Sequence, residues 1–139
     1  MARACHLALG TMAALLLAGC DPVLPEPPIG SLLTAETIAT RETPPELEFK
    51  GVLQGKPVHL IVNECRVYKV EPGEGENVTW TLVLRPEPYP LPLTCVRQSL
   101  TAGKGFVTAF IGLQAFGAGG CCSGRPEHRS TDGVNWKPH

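Results

Sequence analysis

The chain has 139 residues and a mass of 14.8 kDa, which is enough for one domain and short for two. Its 12 Lys and Arg are balanced by 13 Asp and Glu, and the formal charge of -1 argues against a nucleic-acid partner. A hydrophobic share of 43% excludes general disorder, and 15 glycines with 14 prolines argue against a mostly helical protein.

The first twenty residues contain a short apolar run from Leu7 to Ala18. The run is far below the roughly 20 residues that a transmembrane helix needs and is typical of a signal peptide. It ends in Leu17-Ala18-Gly19-Cys20, which resembles the lipobox of bacterial lipoproteins. The resemblance implies that residues 1–19 form a lipoprotein signal peptide and that Cys20 becomes the acylated N-terminus. The alternative is an ordinary signal peptide with a chance cysteine.

The lipobox resemblance also implies a location. It places the mature chain in the bacterial cell envelope, facing the periplasm, with acylated Cys20 in the membrane lipid, where several acyl chains together give a firm anchor. Asp21 slightly favours retention in the inner membrane, but sorting rules differ between bacteria, so inner and outer membrane both stay open.

Residues 20–45 are predicted to form a proline-rich tether. Six prolines lie in this stretch, and proline-rich chain is stiff and extended. Within it, Leu32, Leu33, Ala35, Ile38 and Ala39 can share one face of a short helix, predicted over 34–41. The folded body, residues 46–139, begins after the tether and ends in a polar tail.

The body shows the alternation of β-strands. Residues 47–53 and 58–62 alternate around the turn Gln54-Gly55-Lys56 and predict a hairpin. The alternation then slips by one after Asn63, which suggests a bulge near Asn63-Glu64.

Later segments continue the β pattern. Strands are predicted over 78–84, 93–100 and 104–113. Prolines at every second position from Pro86 to Pro92 instead predict an exposed loop that displays Tyr89, because proline cannot complete a central ladder. The whole pattern predicts a mainly β fold, a small antiparallel β-sandwich or barrel of five to six strands with disulfides.

Four cysteines remain in the body: Cys65, Cys95, Cys121 and Cys122. An even number in an exported chain predicts two disulfides. Of the three possible connectivities, pairing Cys121 with Cys122 requires a strained ring and is uncommon. The sequence therefore favours joining this adjacent pair to Cys65 and Cys95. The chemical alternative is a soft-metal or redox site of Cys121, Cys122 and His128; the spacing fits no familiar metal signature, so no metal or cofactor is predicted.

The polar tail contains Ser130-Thr131-Asp132-Gly133-Val134-Asn135-Trp136. This stretch is similar to the Asp-box hairpin of sialidase-type propellers, although it lacks one residue between Asp132 and Gly133. A propeller needs many copies, and only one is present. The resemblance therefore implies a hairpin with a buried Trp136 and not a glycosidase.

Catalysis is not predicted. A Ser–His–Asp set from Ser123 or Ser130, His128 and Asp132 would crowd into one loop without rigid support. The nucleophile-elbow and zinc-protease motifs are missing from the sequence.

The predicted function is binding of another protein in the envelope, as an inhibitor, an immunity-type protein or an accessory subunit. The contact surface is expected at the Pro86–Pro92 loop with Tyr89, or at the 121–129 loop with Arg125 and Arg129. A short spanin-like lipoprotein is a further alternative, but such proteins are mostly unstructured, whereas residues 46–113 have the pattern of a core.

Overall fold

A computed structural model describes residues 32–117 and 125–139. The lipobox, Cys20, Cys121 and Cys122 lie outside the described residues, so their roles stay predictions. Within the described ranges no helix is long and apolar enough to cross a membrane.

The elements, in chain order, are α1 (Ala35–Glu42), a 3-10 turn (Pro45–Leu47), β1 (Glu48–Leu53), β2 (Lys56–Asn63), β3 (Arg66–Pro72), β4 (Val78–Leu84), β5 (Leu93–Gly103), β6 (Phe106–Ala115), β7 (Glu127–Ser130) and β8 (Lys137–Pro138).

The eight strands form two antiparallel sheets of four strands each, ordered β1-β2-β3-β4 and β5-β6-β7-β8. The mainly β prediction is confirmed, but the predicted count of five to six strands is wrong. One reason is that β7 and β8 have 4 and 2 residues, too few to show alternation. The other is that a bulge at Asn63-Glu64, in place of a turn, would make β3 a continuation of β2.

The β1–β2 hairpin is confirmed, and its loop explains its register. Leu53 pairs with Lys56, so only Gln54 and Gly55 connect the strands. Both have positive φ, 51° and 75°, as in the type I′ turn that matches the twist of a hairpin.

The bulge predicted near Asn63-Glu64 is wrong, because the chain reverses there. Asn63 pairs with Arg66, and Glu64 and Cys65 form a two-residue turn with φ of 49° and 57°. Such a turn places Val62 opposite Val67 on one face. The core-facing residues therefore change from even-numbered positions in β2 to odd-numbered positions at Val67, which is the same shift that a bulge would produce in the sequence pattern. The irregularity in β3 instead lies between Val67 and Tyr68, opposite β4.

The inner faces of the two sheets share one apolar cluster, a sandwich-like arrangement. The first sheet contributes residues such as Leu60 and Val67, and the second contributes residues such as Val107 and Ala109, all four with 0% exposure. Both sheets therefore depend on each other to bury their apolar faces.

A disulfide between Cys65 and Cys95 reinforces this contact. It overturns the favoured pairing of these two cysteines with Cys121 and Cys122. The physical reason is the tight turn: because the chain reverses at Cys65, that residue lies at the end of the first sheet and beside the start of β5, with the Cα atoms 5.5 Å apart.

Helix α1 packs on the other side of the first sheet, and its predicted position is confirmed to within one residue at each end. Thr34 caps it by accepting the N–H of Thr37. The hydroxyl of Thr37, 2% exposed, donates to Asn77 Oδ1 and accepts the N–H of Val78, both at 3.0 Å. Trp80 Nε1 donates to Thr40 Oγ1 at 2.8 Å. The helix is therefore fastened to β4 by polar contacts rather than by an apolar face.

Candidate functional site: a groove beside the proline loop

The loop between β4 and β5 contains the four alternating prolines and has no regular hydrogen-bonded structure. Proline has no backbone N–H, so this stretch cannot add a strand to either sheet. Tyr89 is 50% exposed and Leu91 48%. The predicted exposed loop displaying Tyr89 is therefore present.

One side of this loop borders a cavity of about 390 Å³, here called the proline groove. Its volume is in the range of ligand pockets in proteins. The second sheet supplies Ile111 and Leu113 from β6, His128 from β7 and Pro138 from β8. The remaining lining residues are Pro86, Glu87, Pro88, Tyr89, Leu93 and Arg125.

His128 is a half-buried polar side chain that lines the proline groove. It pairs with Ala109, so it lies on the core-facing side of the second sheet. Burial lowers its pKa, while the Pro126 carbonyl and the Glu87 carboxylate act in the opposite direction. Its Nδ1 is buried and has no hydrogen-bond partner among the described residues. Buried polar atoms are usually satisfied, which makes this nitrogen a candidate contact for a bound group.

The structure separates Arg125 and Arg129, the two arginines that the sequence places in one contact surface. Arg125 lines the proline groove together with Tyr89. Arg129 lies on the opposite face of β7, since neighbouring strand residues alternate. Its guanidinium carbon lies 4.1 Å from the centre of the Phe106 ring, and its Nη2 bonds His139 Nε2. The geometry therefore groups Tyr89, Arg125 and His128 and separates Arg129 from them.

The apolar floor of the groove was missed at the sequence level. Ile111 and Leu113 lie within the strand predicted over 104–113, but no sequence pattern indicates what lies over them. Ala109, Ile111 and Leu113 occupy every second position of the strand, and this spacing indicates that they share one face. The return of the proline loop toward β6 and β7 is a long-range contact that no local pattern contains.

A second cavity of about 630 Å³ lies beside β1, β2 and β3. Lys50 and His59, two of its lining residues, are cross-strand partners. Glu48 Oε1 accepts hydrogen bonds from Lys50 Nζ at 2.7 Å and His59 Nε2 at 2.8 Å. Burial opposes ionisation of Glu48, but these two hydrogen bonds outweigh it and lower its pKa. Glu48, Lys50 and His59 already bond one another, so the larger cavity offers less to a ligand than the proline groove.

The tail forms the predicted hairpin. Asp132 accepts the backbone N–H groups of Val134 and Asn135, each at 2.8 Å, and the side-chain amide of Asn135 at 2.7 Å. The Asn135 amide is the largest of the causes that hold the pKa of Asp132 well below its usual range. Trp136 is only partly buried against the shared core. Asp132 therefore stabilises a turn, and both of its carboxylate oxygens accept hydrogen bonds within that turn.

Metal ligation gains no support from the described part of the chain, where no group of three or more His, Cys, Asp or Glu side chains could hold an ion. Cys121 and Cys122 are outside that part.

Comparison of the chain with protein-family models, with curated proteins and with solved structures finds no match.

Proposed function

We propose that this chain is a lipid-anchored protein of the bacterial envelope that binds another protein through the proline groove and has no catalytic activity of its own. The scaffold for this task is a small β-sandwich. The observation that carries the proposal is the grouping of exposed Tyr89 and Arg125 with half-buried His128 over an apolar floor.

The groove has the composition of a protein contact site. Tyrosine and arginine are enriched among the residues that dominate binding energy, and Ile111 and Leu113 can take an apolar side chain of a partner. Alternating prolines restrict the loop before binding, so that docking costs less conformational entropy than it would for a flexible loop.

Site-specific photocrosslinking in the full-length protein tests the proposal. A photoreactive phenylalanine analogue replaces Tyr89 in one variant and Val52, which is 66% exposed on β1, in a control variant. We expect a defined protein adduct at position 89 that is absent at position 52 and is lost when Arg125→Glu is added. Equal adducts at both positions, or none at position 89, would contradict the groove as the binding site.

The membrane anchor has a separate test. Cys20→Ser removes the thiol that accepts the acyl chain, so the precursor should stay unprocessed and should not incorporate labelled palmitate. Normal labelling of this variant would refute the lipobox assignment.

A metal or redox function of Cys121, Cys122 and His128 is the second candidate. It is favoured by the Cys65–Cys95 bond, which leaves Cys121 and Cys122 no other cysteine of the body to pair with. Thiol counting on the denatured mature protein separates the cases. Zero free thiols means that Cys121 and Cys122 are oxidised to each other and excludes thiolate ligation of a metal. Two free thiols would leave the metal function possible, and the Cys121→Ser/Cys122→Ser variant should then contain no free thiols.

A further inference from the structure

The edges of the two sheets differ in how they are protected. A free edge presents unpaired backbone N–H and C=O groups, and proteins usually guard it with charges, prolines, bulges or very short strands. Strand β1 carries the charged pair Glu48 and Lys50. Strand β5 has an extra residue, Val96, and exposes Arg97. Strand β8 has 2 residues, the second a proline.

Strand β4 lacks most of these devices. Its sequence VTWTLVL has no charge and no proline, and its extra residue, Val83, comes only near its end. Helix α1 engages the start of the strand, where Thr37 accepts the N–H of Val78. Further along, Thr79 and Thr81 are exposed and Leu82 is 45% exposed. This edge is therefore open to an added strand.

We propose that the β4 edge binds the β4 edge of a second copy of this chain, antiparallel and centred on Thr81. The two first sheets would then form one continuous sheet of eight strands. This surface is distinct from the proline groove and does not depend on it.

The side chains of β4 suit pairing with themselves. In the register centred on Thr81, that threonine faces its own copy and Trp80 faces the second copy's Leu82. Threonine pairs and aromatic–aliphatic pairs are favourable cross-strand neighbours. Because the strand has no charged residue, no like charges meet across the two-fold axis.

The charges that flank β4 favour a second copy over an unrelated strand. Arg85 directly follows the strand, is exposed and makes no ion pair within the described ranges. Glu74 and Glu76 lie just before the strand and are exposed; Glu76 already accepts a hydrogen bond from Arg41 Nη2 at 3.3 Å, and Glu74 makes no ion pair within the described ranges. Antiparallel pairing brings the end of one strand beside the start of the other, so Arg85 of each copy meets the acidic turn of the other.

Disulfide crosslinking of the full-length protein in membranes tests the register. Thr81→Cys places two thiols across the two-fold axis at a separation that a disulfide can bridge. Thr101→Cys is the control, since Thr101 is also exposed on an edge strand, β5. We expect a covalent homodimer for Thr81→Cys, above the wild-type background, and none for Thr101→Cys. Adding Arg85→Glu should suppress the dimer, and adding Glu74→Arg to that variant should restore it.

Light scattering on the detergent-solubilised protein gives an independent readout. The protein mass should be twice that of one chain and should fall to that of one chain for Thr81→Glu. Glutamate at this position would repel its own copy, yet it faces Lys69 of β3, so the fold should be retained, as circular dichroism can verify. A single-chain mass for the wild type, equal crosslinking at positions 81 and 101, or crosslinking of position 81 to a different protein would overturn the proposal.

Discussion

Cys65, in the turn between β2 and β3, is bonded to Cys95 at the start of β5, and this disulfide ties the two sheets together. Cys65 is fully buried and has a φ of 57°, a backbone region that costs about 1 kcal/mol for a side chain other than glycine. Its N–H donates to Gln98 Oε1 of β5 at 2.7 Å. The second sheet therefore stabilises an unfavourable turn in the first.

Removal of this disulfide should weaken the whole domain. The bond closes a loop with a sequence separation of 30, for which the chain-entropy model gives about 3–4 kcal/mol. We expect Cys65→Ala/Cys95→Ala to lower the free energy of unfolding in urea by about that amount. Gln98→Ala is the matched control: it removes one hydrogen bond of the same turn and should cost about 1 kcal/mol. An unchanged unfolding midpoint in the double variant would contradict the stabilising role.

Local chemistry was sufficient to predict a large part of the fold. Gln54-Gly55 marked the β1–β2 turn because glycine tolerates positive φ, and the alternation of apolar residues located β4. The turn at Glu64-Cys65 could not be predicted from local sequence, since neither residue is typical of a tight turn. The backbone conformation there is fixed by the disulfide and by Gln98, both of which come from a distant part of the chain.

The candidate site was only half predictable. Exposure of Tyr89 followed from the prolines around it, and Arg125 followed from the polarity of the tail. Their meeting in one groove did not, because it depends on the loop after β4 folding back against β6 and β7. The separation of Arg129 from His128 is elementary strand geometry, but it required the knowledge that the tail begins with a strand.

The hydroxyl of Thr37 should be essential for docking helix α1. It is buried and serves both Asn77 and Val78. Thr37→Val keeps the shape but leaves the Val78 N–H without its acceptor, which costs about 1–3 kcal/mol, whereas Asn77 Oδ1 still accepts the Thr34 N–H. We expect that loss in thermal or urea unfolding, accompanied by a change in the fluorescence of Trp80, whose indole bonds the same helix. Thr37→Ser retains the hydroxyl and should lose clearly less; an equal loss in both variants would indicate that the methyl group matters instead.

His128 should make stability depend on pH below about 6.5. Burial lowers its folded-state pKa below the ordinary value of 6.5, so the unfolded chain binds the proton more readily. Stability should therefore fall as pH drops through that value, by less than about 1.4 kcal/mol per pH unit for one proton. Glu48, whose pKa is also lowered, loses its contribution only at lower pH, below about 4.5. Unfolding curves at several pH values should show that the free energy of unfolding falls as pH falls in the wild type and changes less in His128→Gln. The same pH dependence in both proteins would mean that another group causes it.

Gly133, in the tail hairpin, should not tolerate replacement by alanine. It has a φ of 78° and is buried, and its N–H donates to Ser130 Oγ at 2.8 Å. A Cβ at this position would lie 2.7 Å from Val58 Cγ1, a contact too short for the core to accept without movement. Gly133→Ala therefore combines backbone strain with a clash against β2 of the other sheet.

Gly55→Ala separates these two costs. Gly55 has a similar φ of 75°, but an added Cβ would meet no atom within 4 Å. That variant should lose about 1 kcal/mol from backbone strain alone, whereas Gly133→Ala should lose that amount and a further 1–3 kcal/mol, roughly the cost of overpacking a core. Urea unfolding of both variants gives the difference directly. If the two losses are equal, the tail hairpin does not press against Val58.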